Sequence, residues 1–159
     1  MASGFWYLQD GRGYARTVRF MVDLFEEIHS ELAAMESARE FAVYLSQYLF
    51  TDEHEFNGYG GYYHKETGES VMMHIDFREF TVENQALFWQ AAQSRLNKLI
   101  RRNAPKDEQL IEELKLLLDM NKRAKRGEDP MLLNHMRGIE PPSGERKGPG
   151  WLDQNNTSL

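Results

Sequence analysis

The sequence predicts a mostly helical α+β protein, with about four principal helices packed on a small antiparallel sheet that has a central hairpin. Two observations support this: four stretches repeat apolar residues at three- and four-residue steps, and several short aromatic or alternating stretches adjoin glycine-containing turns. We predict one globular domain over residues 1–126. Residues 127–159, rich in glycine and proline, should form an irregular segment, partly packed on the domain and loose at its end.

The first predicted elements are a strand and a long helix. The aromatic run at residues 5–8 is followed by Asp10 and Gly11, which is typical of a strand entering a turn. A helix should extend from about Tyr14 to Met35, since its apolar residues fall on one face.

A second helix and a hairpin follow. Ser37 and Glu40 have the spacing of a capping box, in which each side chain satisfies a free backbone N–H of the other. Strands over 62–65 and 69–77 would be joined by a three-residue loop ending at Gly68. In that register, Tyr63 and Val71 share one face of the sheet.

Two further helices complete the predicted domain. Thr81 should cap the third helix, and Pro105 should separate it from a fourth helix over about 106–126. Their inward stripes are expected to contain Trp89, Ala92, Leu96, Leu99, Ile100, Leu110, Ile111, Leu114, Leu117 and Leu118.

Charge is the first indication of function. The net charge is −6, and residues 20–56 carry nine acids against one base, Arg39. Such a stretch repels nucleic acid and favours a basic partner, although it could also be an ordinary solvated surface. Asp23 and Glu27 lie on the predicted outer face of the first helix and form a candidate binding patch.

A loop after the second helix is the main candidate interface. Tyrosine supplies contact area at a low entropic cost, and nearby acids steer a basic partner toward it. The alternative is a surface loop whose tyrosines fold back onto the core. The candidate partner-binding residues here are Asp52, Glu53, Glu55, Phe56, Tyr59 and Tyr62.

Catalysis and metal binding are not expected, so we predict no catalytic residues, no cofactor and no metal. Cysteine is absent, and His64 and His74 would lie about 13 Å apart in the predicted hairpin, too far to share a zinc ion. His74, Asp76 and Glu79 could form a hydrolytic site, but their spacing matches no motif with a known mechanism. Mutual pairing of strand-end charges explains them more simply.

Nothing in the sequence indicates a membrane, a small-molecule substrate or direct nucleic-acid binding. No secretion signal begins the chain, and no apolar run approaches the roughly 18 residues that span a bilayer. We therefore expect a cytoplasmic protein.

Four stretches resemble a group of small bacterial immunity proteins, which neutralise the toxin domains of contact-dependent and other polymorphic toxin systems. The stretches are SGFWYLQDGRGYAR, NGYGGYYHKETGE, DFREFTVENQALFW and GEDPMLLNHMRGIEPPSGERKGPGW. The resemblance implies a cytoplasmic inhibitor, without chemistry of its own, that binds a cognate toxin and covers its active or substrate-binding surface. Many such toxins are nucleases, whose basic grooves would suit the acidic stretch.

Two alternatives remain open. One is a phage- or plasmid-encoded inhibitor that mimics the charge of nucleic acid. The other is a small hydrolase that uses His74, Asp76 and Glu79.

Overall fold

The computed structural model of the 159-residue chain describes residues 3–9, 13–46, 60–63, 70–128 and 145–146. Four α-helices and a small sheet within these residues confirm the predicted, mostly helical α+β architecture. The helices are α1 (Val18–Ala34), α2 (Arg39–Leu45), α3 (Val82–Arg102) and α4 (Glu108–Lys125). The strands are β1 (Ser3–Tyr7), β2 (Gly13–Thr17), β3 (Gly60–Tyr63), β4 (Ser70–Asp76) and β5 (Glu145–Arg146).

The sheet is mixed, with the strand order β2-β1-β4-β3-β5. β1 pairs with β2 and β3 pairs with β4 in antiparallel fashion, but β1 and β4 are parallel neighbours. The prediction of an antiparallel sheet is therefore wrong. Parallel neighbours need a long crossover connection, and the helices between β2 and β4 belong to one.

The register between β3 and β4 also differs from the predicted one. Tyr62 is paired with Val71, and Tyr63 with Ser70. The register is thus displaced by one residue. Tyr62, rather than Tyr63, is the partner of Val71 in the ladder. The predicted loop at Gly68 lies outside the described residues.

The first helix begins later than predicted, because residues 13–17 form β2 instead of its first turn. Tyr14 is paired with Trp6 across the β1–β2 ladder, and its hydroxyl donates a 2.5 Å hydrogen bond to Glu113 on α4. Arg16 forms an ion pair of 3.0 Å with the same carboxylate. These partners are remote in sequence, so a helical pattern could not reveal them.

Only one of the two predicted helix caps is present. Thr81 accepts a 3.0 Å hydrogen bond from the backbone N–H of Asn84, which confirms the cap of α3. The capping box is wrong, because residues 36–38 form a 3-10 turn before α2. Its backbone bonds, from Ala38 to Met35 and from Arg39 to Glu36, satisfy N–H groups that a capping box would otherwise satisfy.

The core is centred on Trp6, which is fully buried in β1. Phe25 on α1, Phe77 after β4 and Phe88 on α3 present their rings edge-on to it, with centroids 6.1 to 6.4 Å away. A single cluster of aromatic rings therefore joins the sheet to α1 and α3.

The predicted inward stripes of α3 and α4 are largely buried. The exception is Ile100, which is 48% exposed because it lies one position beyond the buried Leu99 and points to another side of α3. The buried members are Ala92, Leu96, Leu99, Leu114, Leu117 and Leu118, while Trp89, Leu110 and Ile111 are partly buried against them.

The described part of the C-terminal segment pairs with the sheet. Its residues Glu145 and Arg146 pair with Tyr63 and Tyr62 of β3 as an antiparallel edge strand. Residues 129–144 and 147–159 lie outside the described part of the chain.

Candidate functional site

The loop predicted as the main interface lies outside the described residues. Tyr62 is the exception, and its Cα is paired with those of Val71 in β4 and Arg146 in β5. The proposed role of this loop stays a prediction. The residues concerned are Asp52, Glu53, Glu55, Phe56 and Tyr59.

The second predicted patch, on α1, divides into two different environments. Asp23 is exposed, as expected for a binding residue. Glu27 instead turns toward α3, where its carboxylate lies 3.2 Å from Arg95 and its backbone carbonyl accepts a 3.2 Å hydrogen bond from the same guanidinium. Asp23 and Glu27 therefore do not act as one surface.

Glu27 belongs to a network of charges that joins α1 to α3. Its centre is Glu31, a buried carboxylate that lies 2.8 Å from the ammonium of Lys98 and 3.3 Å from Arg95. Ser94 donates a further 3.1 Å hydrogen bond to it. Desolvation alone would raise the pKa of Glu31, but these bonds and charges reverse the effect and lower it. The network fixes two helices together.

The outer acidic face, which we define as Asp23 and Glu26, has no such compensation. Both residues are exposed, and neither forms an ion pair with any described residue, including Arg19 one turn earlier. Partial burial, together with the carboxylates of Asp23 and Glu27, raises the pKa of Glu26. Acids three residues apart on a helix repel each other, so this face carries uncompensated negative charge.

A second acidic surface lies between α2 and the first turns of α3. This α2–α3 groove has a volume of about 250 Å³. Glu40 and Glu83 are exposed at it and form no ion pair within the described part of the chain. Phe41, Tyr44, Asn84 and Leu87 also line the groove.

Exposed apolar side chains lie on the two helices that form the groove. Among the described residues, the large apolar side chains exposed to solvent are Val43 (68%), Tyr44 (45%), Val82 (78%) and Ile100. Three of these four lie on α2 or at the start of α3, the two elements that form the groove. Of these three residues, Tyr44 lines the groove itself.

A second cavity, of about 170 Å³, lies where the end of β1 meets α3 and α4 and is lined in part by Leu8, Trp89 and Asn121. It is smaller than the roughly 300–1,000 Å³ of ordinary small-molecule sites. The side-chain nitrogen of Gln85, at its wall, already donates to the carbonyls of Phe77 and Phe80 at 2.9 and 3.0 Å. The cavity offers little for recognising a substrate.

Within the cluster proposed for hydrolysis, Asp76 is held by an internal ion pair. Arg78 binds both carboxylate oxygens of Asp76, at 3.0 and 2.8 Å, and its backbone N–H donates to the first of them at 2.9 Å. Its guanidinium also lies over the ring of Tyr7, 3.7 Å from the centroid. A general base needs a carboxylate directed at its substrate, and that of Asp76 is directed at Arg78.

The described residues contain no group of three or more histidines, aspartates or glutamates that could hold a metal ion. His29 contacts Ala42, with its Nε2 atom 2.8 Å from the carbonyl oxygen, and stacks on Phe25. His54 and His64 are outside the described residues. None of the helices in this part of the chain has both the length and the apolar composition needed to cross a membrane.

Sequence reasoning missed two features of this surface. Glu26 stands three residues after Asp23, and that spacing alone could have identified it as the better companion of Asp23. The α2–α3 groove had no sequence signal, because Tyr44 fits the apolar stripe of α2 and Glu83 fits the first turn of a helix.

The chain matches no protein-family model, no curated protein and no solved structure.

Proposed function

We propose that this protein is an immunity protein that binds a basic toxin domain, a nuclease, and neutralises it by covering its active or substrate-binding surface. The outer acidic face carries the proposal. Asp23 and Glu26 repel each other and lack basic partners among the described residues, whereas Glu27 and Glu31 on the same helix are paired. Uncompensated charge of this kind slightly lowers the stability of the free protein. A basic partner would be attracted by this charge and would neutralise it on binding.

The internal pairing of the other polar clusters also supports binding rather than catalysis. Asp76 is bound to Arg78, and Asp107 is bound to Arg102 through two hydrogen bonds of 2.6 and 2.7 Å. Such pairs hold the fold together and are not directed at a substrate.

The proposal is tested by capturing the partner and measuring binding kinetics. The tagged full-length protein is used to isolate partners from its source cells, and the toxin domain identified by mass spectrometry is then purified. Glu26→Lys and Asp23→Lys should each slow association, together by about tenfold at low salt, because they reverse the steering field. The difference should shrink in 1 M salt, where the Debye length falls to about 3 Å.

Glu112→Lys on α4 is the matched control, since it makes the same change of charge at an exposed acid. Its association rate should stay close to that of the wild type. Equal effects of Glu26→Lys and Glu112→Lys would contradict a specific role of the outer acidic face. Capture of a nucleic-acid enzyme that is not encoded beside this chain would instead favour an inhibitor that mimics nucleic acid.

A further inference from the structure

One side of the α2–α3 groove consists of aromatic side chains that pack on one another. Phe41, 4% exposed, lies edge-on to Phe80 with centroids 5.2 Å apart, and Tyr44 lies edge-on to the same ring at 6.4 Å. Phe80 itself is buried against Phe77 in the core. The ring of Tyr44 therefore packs on Phe80, while nearly half of the surface of Tyr44 is exposed to solvent.

Among the described residues that line the groove, every charged side chain is acidic. These residues are Glu40 and Glu83. Glu83 lies in the first turn of α3, where the helix dipole favours its ionised form. An occupant with a positive charge is complementary to both carboxylates, and an anion is not.

The volume of the groove and the residues that line it indicate which kind of cation would fit. A volume of about 250 Å³ suits one long side chain better than a folded element. A guanidinium is planar and weakly hydrated, stacks on aromatic faces and binds carboxylates through two parallel hydrogen bonds. A lysine ammonium is a strongly hydrated point charge and uses an aromatic wall less well.

We propose that the α2–α3 groove binds an arginine side chain presented by a protein partner, with the ring of Tyr44 against the guanidinium and with Glu40 and Glu83 as its counter-charges. The segment that carries the arginine would find further exposed apolar side chains on the same two helices, Val43 on α2 and Val82 on α3. The inference rests on the proposed function in one respect, namely that the segment belongs to a basic toxin domain. The recognition of arginine itself can be measured without the toxin.

The experiment is an NMR titration of the full-length, ¹⁵N-labelled protein with three blocked tripeptides. They are acetyl-Gly-Arg-Gly-amide, its lysine counterpart and its citrulline counterpart, in which the guanidinium is replaced by a neutral group of nearly the same shape. The arginine peptide should give saturable shifts at the amides of Tyr44 and Leu87, with a Kd on the order of 1 mM. The lysine peptide should bind about fivefold more weakly, and the citrulline peptide should show no saturation.

Variants distinguish the groove from the rest of the acidic surface. Glu40→Gln and Glu83→Gln should each weaken binding of the arginine peptide about threefold or more. Tyr44→Leu should also weaken it, because the substitution keeps an apolar side chain but removes the aromatic face. Glu26→Gln, on the outer acidic face, and Glu112→Gln should leave its Kd unchanged. The spectrum of each variant reports whether it is folded.

Shifts spread over all acidic residues, equal binding of the three peptides, or unchanged binding by the Glu40 and Glu83 variants would overturn the proposal. None of these results depends on a toxin. If the groove binds the arginine peptide but no toxin is captured, the inference about the groove stands and the proposed function fails. If a toxin binds but the arginine peptide does not, the proposed function stands and the inference about the groove fails.

Discussion

Glu31 is the residue on which the contact between α1 and α3 depends most. It is buried and surrounded by Ser94, Arg95 and Lys98. We expect Glu31→Gln to lower the free energy of unfolding by about 2 kcal/mol, because hydrogen bonds to a charged group are lost while the half-buried Arg95 loses one of its counter-charges. Urea unfolding followed by circular dichroism measures the change.

Glu112→Gln provides the comparison for this variant, since Glu112 is 68% exposed and pairs with Lys115 at the surface. Its free energy of unfolding should change by less than about 0.5 kcal/mol. Equal losses in the two variants would mean that the network around Glu31 contributes nothing beyond surface charge.

The same residue predicts a dependence on pH. Because the folded-state pKa of Glu31 lies below the ordinary 4.5, the unfolded chain binds its proton more readily. The stabilisation is complete above about pH 5 and is lost as the pH falls through the folded-state pKa. The difference in stability between the wild type and Glu31→Gln should therefore shrink below about pH 4, as urea titrations at several pH values can measure. A constant difference from pH 7 to pH 3 would exclude Glu31 as its source.

At the scale of elements, β2 is held to α4 by the hydrogen bond from Tyr14 to Glu113. Burial, this bond and the charge of Glu113 raise the pKa of Tyr14, so its hydroxyl remains a donor well into the alkaline range. Tyr14→Phe, Glu113→Gln and the double variant should give a coupling free energy of about 1–2 kcal/mol. A coupling near zero would show that the two side chains stabilise the protein independently.

Two helix starts, that of α3, which was confirmed, and that of α1, which was corrected, show which elements a sequence can specify. The cap of α3 was predictable because Thr81 bonds to Asn84, three residues away. The start of α1 was not, because Tyr14 is held in β2 by Glu113, 99 residues away. Local spacing determines the start of α3. At the start of α1, a tertiary contact overrides the helical pattern of the sequence.

The same distinction applies to the candidate site. The exposure of Asp23 followed from its place on a helix, but the attachment of Glu27 to Arg95 required the packing of α1 on α3. The groove between α2 and α3 likewise exists only once both helices are placed. Charge could be predicted from sequence, whereas the distinction between paired and unpaired charge could not.

For the whole molecule, we predict that stability does not depend on metal. The purified protein should keep its Tm, within about 1 °C, in EDTA, because an aromatic core centred on Trp6 extends across sheet and helices and cysteine is absent. Differential scanning calorimetry before and after chelation measures this. A fall in Tm that one added metal ion restores would reveal a structural site involving residues such as His54 or His64.

The parallel pairing of β1 with β4 also sets an order in time during synthesis. β1 is synthesised before β4, and the two strands cannot pair before residue 76 has been made. Until then β1 has only β2 as a partner of the final sheet, and the edge of β1 that will pair with β4 stays open. An open edge of this kind is a template for wrong pairing, so the interval before β4 emerges is the time when this chain is most exposed to aggregation.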